Sequence, residues 1–134
     1  MTRSPLAAAL YNKVTGTTDA ASAGTYVGAP DEPEGRLLSD LFPDPSFFEV
    51  LEEHDVHVRR YKTVRLTEAM LDNTDVIVSM AEEPFVPDFL KNHPNVVVWN
   101  VENPDTVDRP VAETLYKELF LLVQNLLKET KSTL

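Results

Sequence analysis

The chain of 134 residues contains no cysteine. Within it there can be no disulfide, no thiolate metal site and no thiol nucleophile. Positive charge is also scarce: twelve Lys and Arg stand against twenty-two Asp and Glu, a net charge of −10. Such a balance disfavours nucleic acid or an anionic membrane as a partner, so any phosphate must be held by a local site and not by the overall field. Long apolar runs are missing as well. Nothing approaches the roughly 20 residues of a membrane span, and Met1 to Leu10 lacks the basic-then-apolar order of a signal peptide, so the chain reads as cytoplasmic.

What is present is ordinary globular usage, 43% hydrophobic and 25% charged, at a length suited to one domain spanning residues 1–134. Ser4 as cap and Pro5 at the first helical position predict a helix over Leu6 to Val14, ended by Gly16. Asp19 to Thr25 reads as a strand of small residues. Tyr26 to Pro45 is rich in proline, glycine and acid, and is either a functional loop or a disordered one, with one helical turn inside Arg36 to Phe42. Ser46 to Glu53 predicts a helix with a Ser46/Glu49 capping box, Val56 to Tyr61 an edge strand or extended segment, and Thr67 to Asn73 a short helix capped by Thr67. The β-branched runs Asp75 to Met80 and Asn95 to Val101 read as strands buried on both faces, with a short helix at Asp88 to Asn92 between them. Asp108, Arg109 and Pro110 open the longest helix, to about Lys128, with Val111, Leu115, Leu119, Leu122, Val123 and Leu126 on one apolar face. Alternating strands and helices predict an α/β domain with a mostly parallel sheet.

Few groups stand out for chemistry. His54, His57 and His93 lack a matched set of ligands and read as surface or capping histidines, so no metal site is expected. Arg59, Arg60, Lys62 and Arg65 crowd four cations into seven residues; they read as a solvated edge that discourages sheet association, with contact to an anionic substrate as the alternative. The sharper signal is Met1-Thr2-Arg3-Ser4-Pro5-Leu6-Ala7, where a guanidinium sits beside the amides of a helix N-terminus, a combination that binds phosphate.

RSPLAAALYNK, starting at Arg3, resembles the segment that follows the phosphate loop of low-molecular-weight protein tyrosine phosphatases and the related arsenate reductases, a loop of Cys, five residues, Arg, then Ser or Thr. Ser22-Ala23-Gly24-Thr25 resembles that family's second strand, Arg65-Leu66-Thr67-Glu68 the start of a helix, and Val76 to Met80 its third strand. Val96 to Trp99 resembles the fourth strand, and Glu102-Asn103-Pro104 stands where the family has its Asp-Pro loop. The resemblance implies a three-layer α/β/α, flavodoxin-like domain with a small parallel sheet, from which the central first strand is missing.

The same resemblance implies an activity, the hydrolysis of phosphate monoesters through a phosphocysteine. Arg3 then matches the arginine that clamps the phosphoryl oxygens, Ser4 the hydroxyl that bonds the thiolate, and Ser22 a buried serine that orients the loop. Read without the resemblance, Ser4 is a helix cap and Ser22 a small core residue. The nucleophile falls four positions before Met1, and the expectation is that Met1 is an internal methionine of the loop. Asn103 occupies the general-acid position and has no proton to give, while Asp105 offers a substitute. Met1, two before the arginine, goes with aryl phosphates in that family, so the implied partners are a phosphorylated protein or a small aryl phosphate, with no cofactor. Thioredoxin-coupled arsenate reduction would need further cysteines. The alternative is a pseudophosphatase, an inactive module that binds phosphate or a partner.

Overall fold

Helix α1 (Arg3–Thr15) buries Leu6 and Leu10 completely, one turn apart on the same face. It starts earlier than the sequence predicts: Ser4 is its second residue and not its cap, and Pro5 its third. Proline is tolerated there because amides in the first turn have no intrahelical acceptor in any case. The far end closes as a Schellman turn, with Gly16 at φ 69° and the Thr17 amide donating to the Asn12 carbonyl at 3.1 Å. The Asn12 side chain also grips Ala20 at both backbone groups, at 2.9 and 3.0 Å. A Cβ at Gly16 would meet nothing within 4 Å, so Gly16→Ala isolates the conformational cost of the left-handed turn. We expect it to lower stability by about 1 kcal/mol in urea titrations.

A computed structural model of the chain describes residues 3–25, 34–42, 44–72, 74–81, 86–102 and 107–133. Residues 26–33 of the long connection fall outside these. Its second half carries α2 (Leu38–Leu41), the single helical turn predicted. The expected strand at Asp19 to Thr25 is reduced to one parallel bridge, Gly24 with Arg65, because no described segment offers it a ladder. Val56 to Tyr61 is likewise no strand. Val56 and Val58 are buried, but the chain turns at Arg59 and Arg60, and pairing begins only at Lys62, antiparallel to Leu37.

Helix α3 (Ser46–Glu53) begins with Ser46 and is not capped by it. Pro45 stands at the cap without a side-chain bond, and Asp44 before it accepts at Oδ1 both the Ser46 amide at 2.9 Å and the Ser46 hydroxyl at 2.6 Å, which holds its carboxyl below the usual range. A carboxylate is the stronger acceptor, and no capping box with Glu49 forms. The helix predicted from Thr67 is a 3-10 turn, Glu68–Leu71, without a side-chain cap, since the chain must straighten again for the next strand; Asn73 lies outside the described residues.

Strands β1 (Ile77–Ser79) and β2 (Val96–Val98) pair in parallel, Ile77 with Val96, Val78 with Val97 and Ser79 with Val98. Bonds from the Ile77 amide to Asn95 and from the Trp99 amide to Ser79 close the ladder at each end. Alternation then sorts the side chains into two layers. Ile77 and Val96 join Leu71 and Leu90 on one face, where α4 (Asp88–Lys91) lies. Val78, Met80 and Trp99 join the main core of α1, α3 and the long C-terminal helix on the other. The three-layer α/β/α arrangement follows from this. β2 is not buried on both faces as predicted, since Val97 and Val98 are 37% and 62% exposed. One turn of α4 reaches Val96 but is too short to shade Val98.

Helix α5 (Arg109–Thr133) starts where expected, with Asp108 Oδ1 accepting the Val111 amide at 3.0 Å, and runs five residues past Lys128. Ala112, Leu115, Leu119 and Val123 form its buried stripe. Polar contacts tie it to α3: Arg109 to Glu53 at 2.6 Å, and His54 to Glu113 at 3.1 Å with its ring stacked on Tyr116. Among the described residues no helix is long and apolar enough to cross a membrane.

Arg59 makes a two-pronged contact with Glu52, at 2.6 and 3.0 Å, which lowers the Glu52 pKa. A depressed carboxylate stabilises the fold at neutral pH and loses that contribution as pH falls through the acid range. Thermal melts of Glu52→Gln should therefore differ from the parent most near neutrality and converge with it on acidification.

Candidate functional site

The carboxyl ends of β1 and β2 open onto a groove of about 250 Å³, lined by Met80, Ala81, Trp99, Asn100, Val101 and Glu102. In open parallel sheets this is the end at which ligands bind. The start of α1 comes to the same end. Arg3, half-buried, donates from Nη1 to the Val101 carbonyl at 2.6 Å, joining residues 98 apart in the chain. The guanidinium is thereby fixed to the backbone of the groove, beside the positive end of a thirteen-residue helix dipole. The described amides of that first turn are those of Arg3 and Ser4, because Pro5 has none. Together they make a local anion-attracting point in an acidic chain.

The other predicted residues are placed less closely. Ser4 is half-buried in the first turn of α1, and its side chain makes no hydrogen bond with a described residue. Ser22, half-buried and not fully buried as the resemblance implies, sits two residues before Gly24 and makes no hydrogen bond to Arg3 or Ser4. Asn103 and Asp105 lie outside the described residues, as does Met1; the segment holding the first two begins two positions after Val101. Glu102, exposed on the groove, sets a carboxylate on the same rim as Arg3. Sequence reasoning missed Val101, since a backbone acceptor leaves no mark in side-chain identity.

The histidines serve the scaffold. His54 stacks on Tyr116, His57 lies 3.0 Å from Asp55, and His93 Nδ1 accepts the Asn95 amide at 3.2 Å. Among the described residues no three His, Asp or Glu side chains are grouped to hold a metal ion.

No protein-family model matches the chain, and no curated protein matches it by sequence. Among solved structures, a low molecular weight protein tyrosine phosphatase from T. tengcongensis superimposes with a TM-score of 0.71, over 95% of this chain and 90% of that one, at 22% identity. The chain has the low molecular weight phosphatase fold. The α/β/α architecture read from the sequence is therefore the observed one, at an identity too low for sequence comparison alone. Within this phosphatase fold, Arg3 and the strand ends meet at one place, the groove described above.

Proposed function

We propose that the chain is a member of the low molecular weight protein tyrosine phosphatase family and engages the phosphate of a phosphorylated protein or small aryl phosphate through Arg3 and the amide end of α1. The observation that carries this reading is the 2.6 Å bond from Arg3 to Val101, which holds a guanidinium at the ligand end of a sheet of that fold. Arg3 would neutralise the phosphoryl oxygens, Ser4 would donate to them, and Ser22 would support the turn beside them. A phosphocysteine reaction needs a thiolate, and the 134 residues contain none. Asn103 cannot protonate a leaving group, which leaves Asp105 as the acid.

Two sequence features, the zero cysteine count and Asn103, favour a second reading as a binding module without turnover. The readings part experimentally. Inorganic phosphate is expected to raise the melting temperature of the 134-residue chain, and Arg3→Ala to abolish the rise. No shift in the parent, or the same shift in the variant, would remove Arg3 from the site. The 134-residue chain should release no p-nitrophenol from p-nitrophenyl phosphate. If the natural codons upstream of Met1 add an in-frame cysteine and restore that release, the enzyme reading stands; if they add none, the binding module remains.

A further inference from the structure

The basic run reads from sequence as the guard of an open sheet edge. The structure removes that reason, because the segment is bonded on both sides. Toward residues 35–39, the Thr63 amide donates to Arg36, the Thr63 carbonyl accepts from Gly35, and the Leu38 amide donates to Tyr61. Toward residue 24, the Val64 carbonyl accepts from Gly24 and the Leu66 amide donates back to it. A segment bonded on both sides needs no cations to repel a third.

Among the described residues the chain's own acid takes up Arg59 and no other cation of the run. Lys13, Arg59 and Arg109 each take a carboxylate partner, at 3.2, 2.6 and 2.6 Å, as a surplus of acid makes easy. Arg59 also lies over the Phe48 ring, 5.2 Å from its centroid. The side chains of Arg36, Arg60, Lys62 and Arg65 are exposed and make no ion pair or hydrogen bond with any described residue; the Arg36 amide donates to the Thr63 hydroxyl at 3.1 Å. The antiparallel pairing of Leu37 with Lys62 brings Arg36 alongside this run, although it lies 24 residues before Arg60. The result is four positive charges without a carboxylate partner among the described residues, on one paired ribbon that also holds half-buried Leu37 and Tyr61.

We propose that this ribbon, residues 35–39 with 59–66, is a docking surface for a short acidic peptide segment of a partner protein. The whole chain carries −10 and repels any long polyanion. Screening confines attraction to about 8 Å at physiological salt, so a segment with a few Asp or Glu feels the ribbon and not the rest of the surface. The proposal is independent of the phosphate reading at Arg3.

The test is fluorescence anisotropy of a rhodamine-labelled hexaglutamate peptide against the 134-residue chain. Saturable binding is expected at about 50 mM salt, weakened roughly tenfold or more by about 300 mM. The quadruple variant R36Q/R60Q/K62Q/R65Q should lose at least about tenfold in affinity, whereas Arg3→Ala should retain it. Because all four side chains are exposed, the variant should keep the parent's circular dichroism; R60Q/K62Q serves if it does not. Absence of saturable binding by the parent overturns the proposal, as does undiminished binding by the quadruple variant or by R60Q/K62Q. An oligothymidine of equal charge that binds as tightly as the peptide would also overturn it, marking a general polyanion patch.

Discussion

Phe47→Ala is expected to destabilise the chain by about 3–5 kcal/mol, enough to exhaust much of the stability of a domain this size. Phe47 is fully buried in the main core. Its ring stands edge-on to Phe48, with centroids 5.3 Å apart, and tilted against Phe42 at 6.1 Å. Both its transfer free energy and these ring contacts are lost on truncation, and since Phe48 is fixed on the same helix while Phe42 follows α2, the space cannot collapse by moving one of them. Helix α3 also has only eight residues and cannot persist without packing. Urea unfolding followed by far-ultraviolet circular dichroism measures the loss. Leu121→Ala on α5 is the matched control, since Leu121 is 58% exposed and should change stability by no more than about 0.5 kcal/mol. A Phe47 effect as small as the control's would mean the three-ring cluster does not hold α3 in place.

Arg3→Lys is expected to fail as a conservative substitution. The guanidinium offers five N–H donors in a rigid fork, so it can hold the Val101 carbonyl and still meet an anion; an ammonium is a compact point charge on a flexible stem. Phosphate affinity should fall by at least about tenfold, close to the loss in Arg3→Ala. In the parent, phosphate at about ten times its Kd should add about 1.4 kcal/mol, a rise of roughly 5 °C in Tm. In Arg3→Lys most of that rise should vanish. Full retention would show that positive charge alone binds the anion and that the fork geometry is irrelevant.

Much of this architecture was legible because its signals are local. Asp108 marks the start of α5 by the same carboxylate that caps it, and the stripe of Leu115, Leu119 and Val123 gives the helical period directly. Ile77 to Ser79 and Val96 to Val98 stand out as β-branched runs. The errors arise where partners decide. Ser4 and Ser46 look like caps, yet one is carried inside a helix that starts earlier and the other donates to Asp44. Asp19 to Thr25 has the composition of a strand, but a strand exists only with a ladder beside it, and only Gly24 finds one bridge. At the site, Arg3 was readable from its place before a helix. Its attachment to Val101 was not, since the acceptor is a main-chain oxygen 98 residues away.

Among the described residues the sheet has two strands, hence two margins and no interior strand. Ile77, Val78 and Val96 are held by side chains packed from the two faces, whereas Val97 and Val98 rest on the ladder alone. The helical layer of α1, α3 and α5, by contrast, is knitted by one large apolar cluster and by contacts such as Arg109 with Glu53. Local opening should therefore be cheapest at the sheet and dearest among these helices. The groove beside Arg3 is thus walled by the part of the molecule that opens most readily, while Arg3 itself rides on the most persistent part. An anion held between them would act as a clasp on the weaker part.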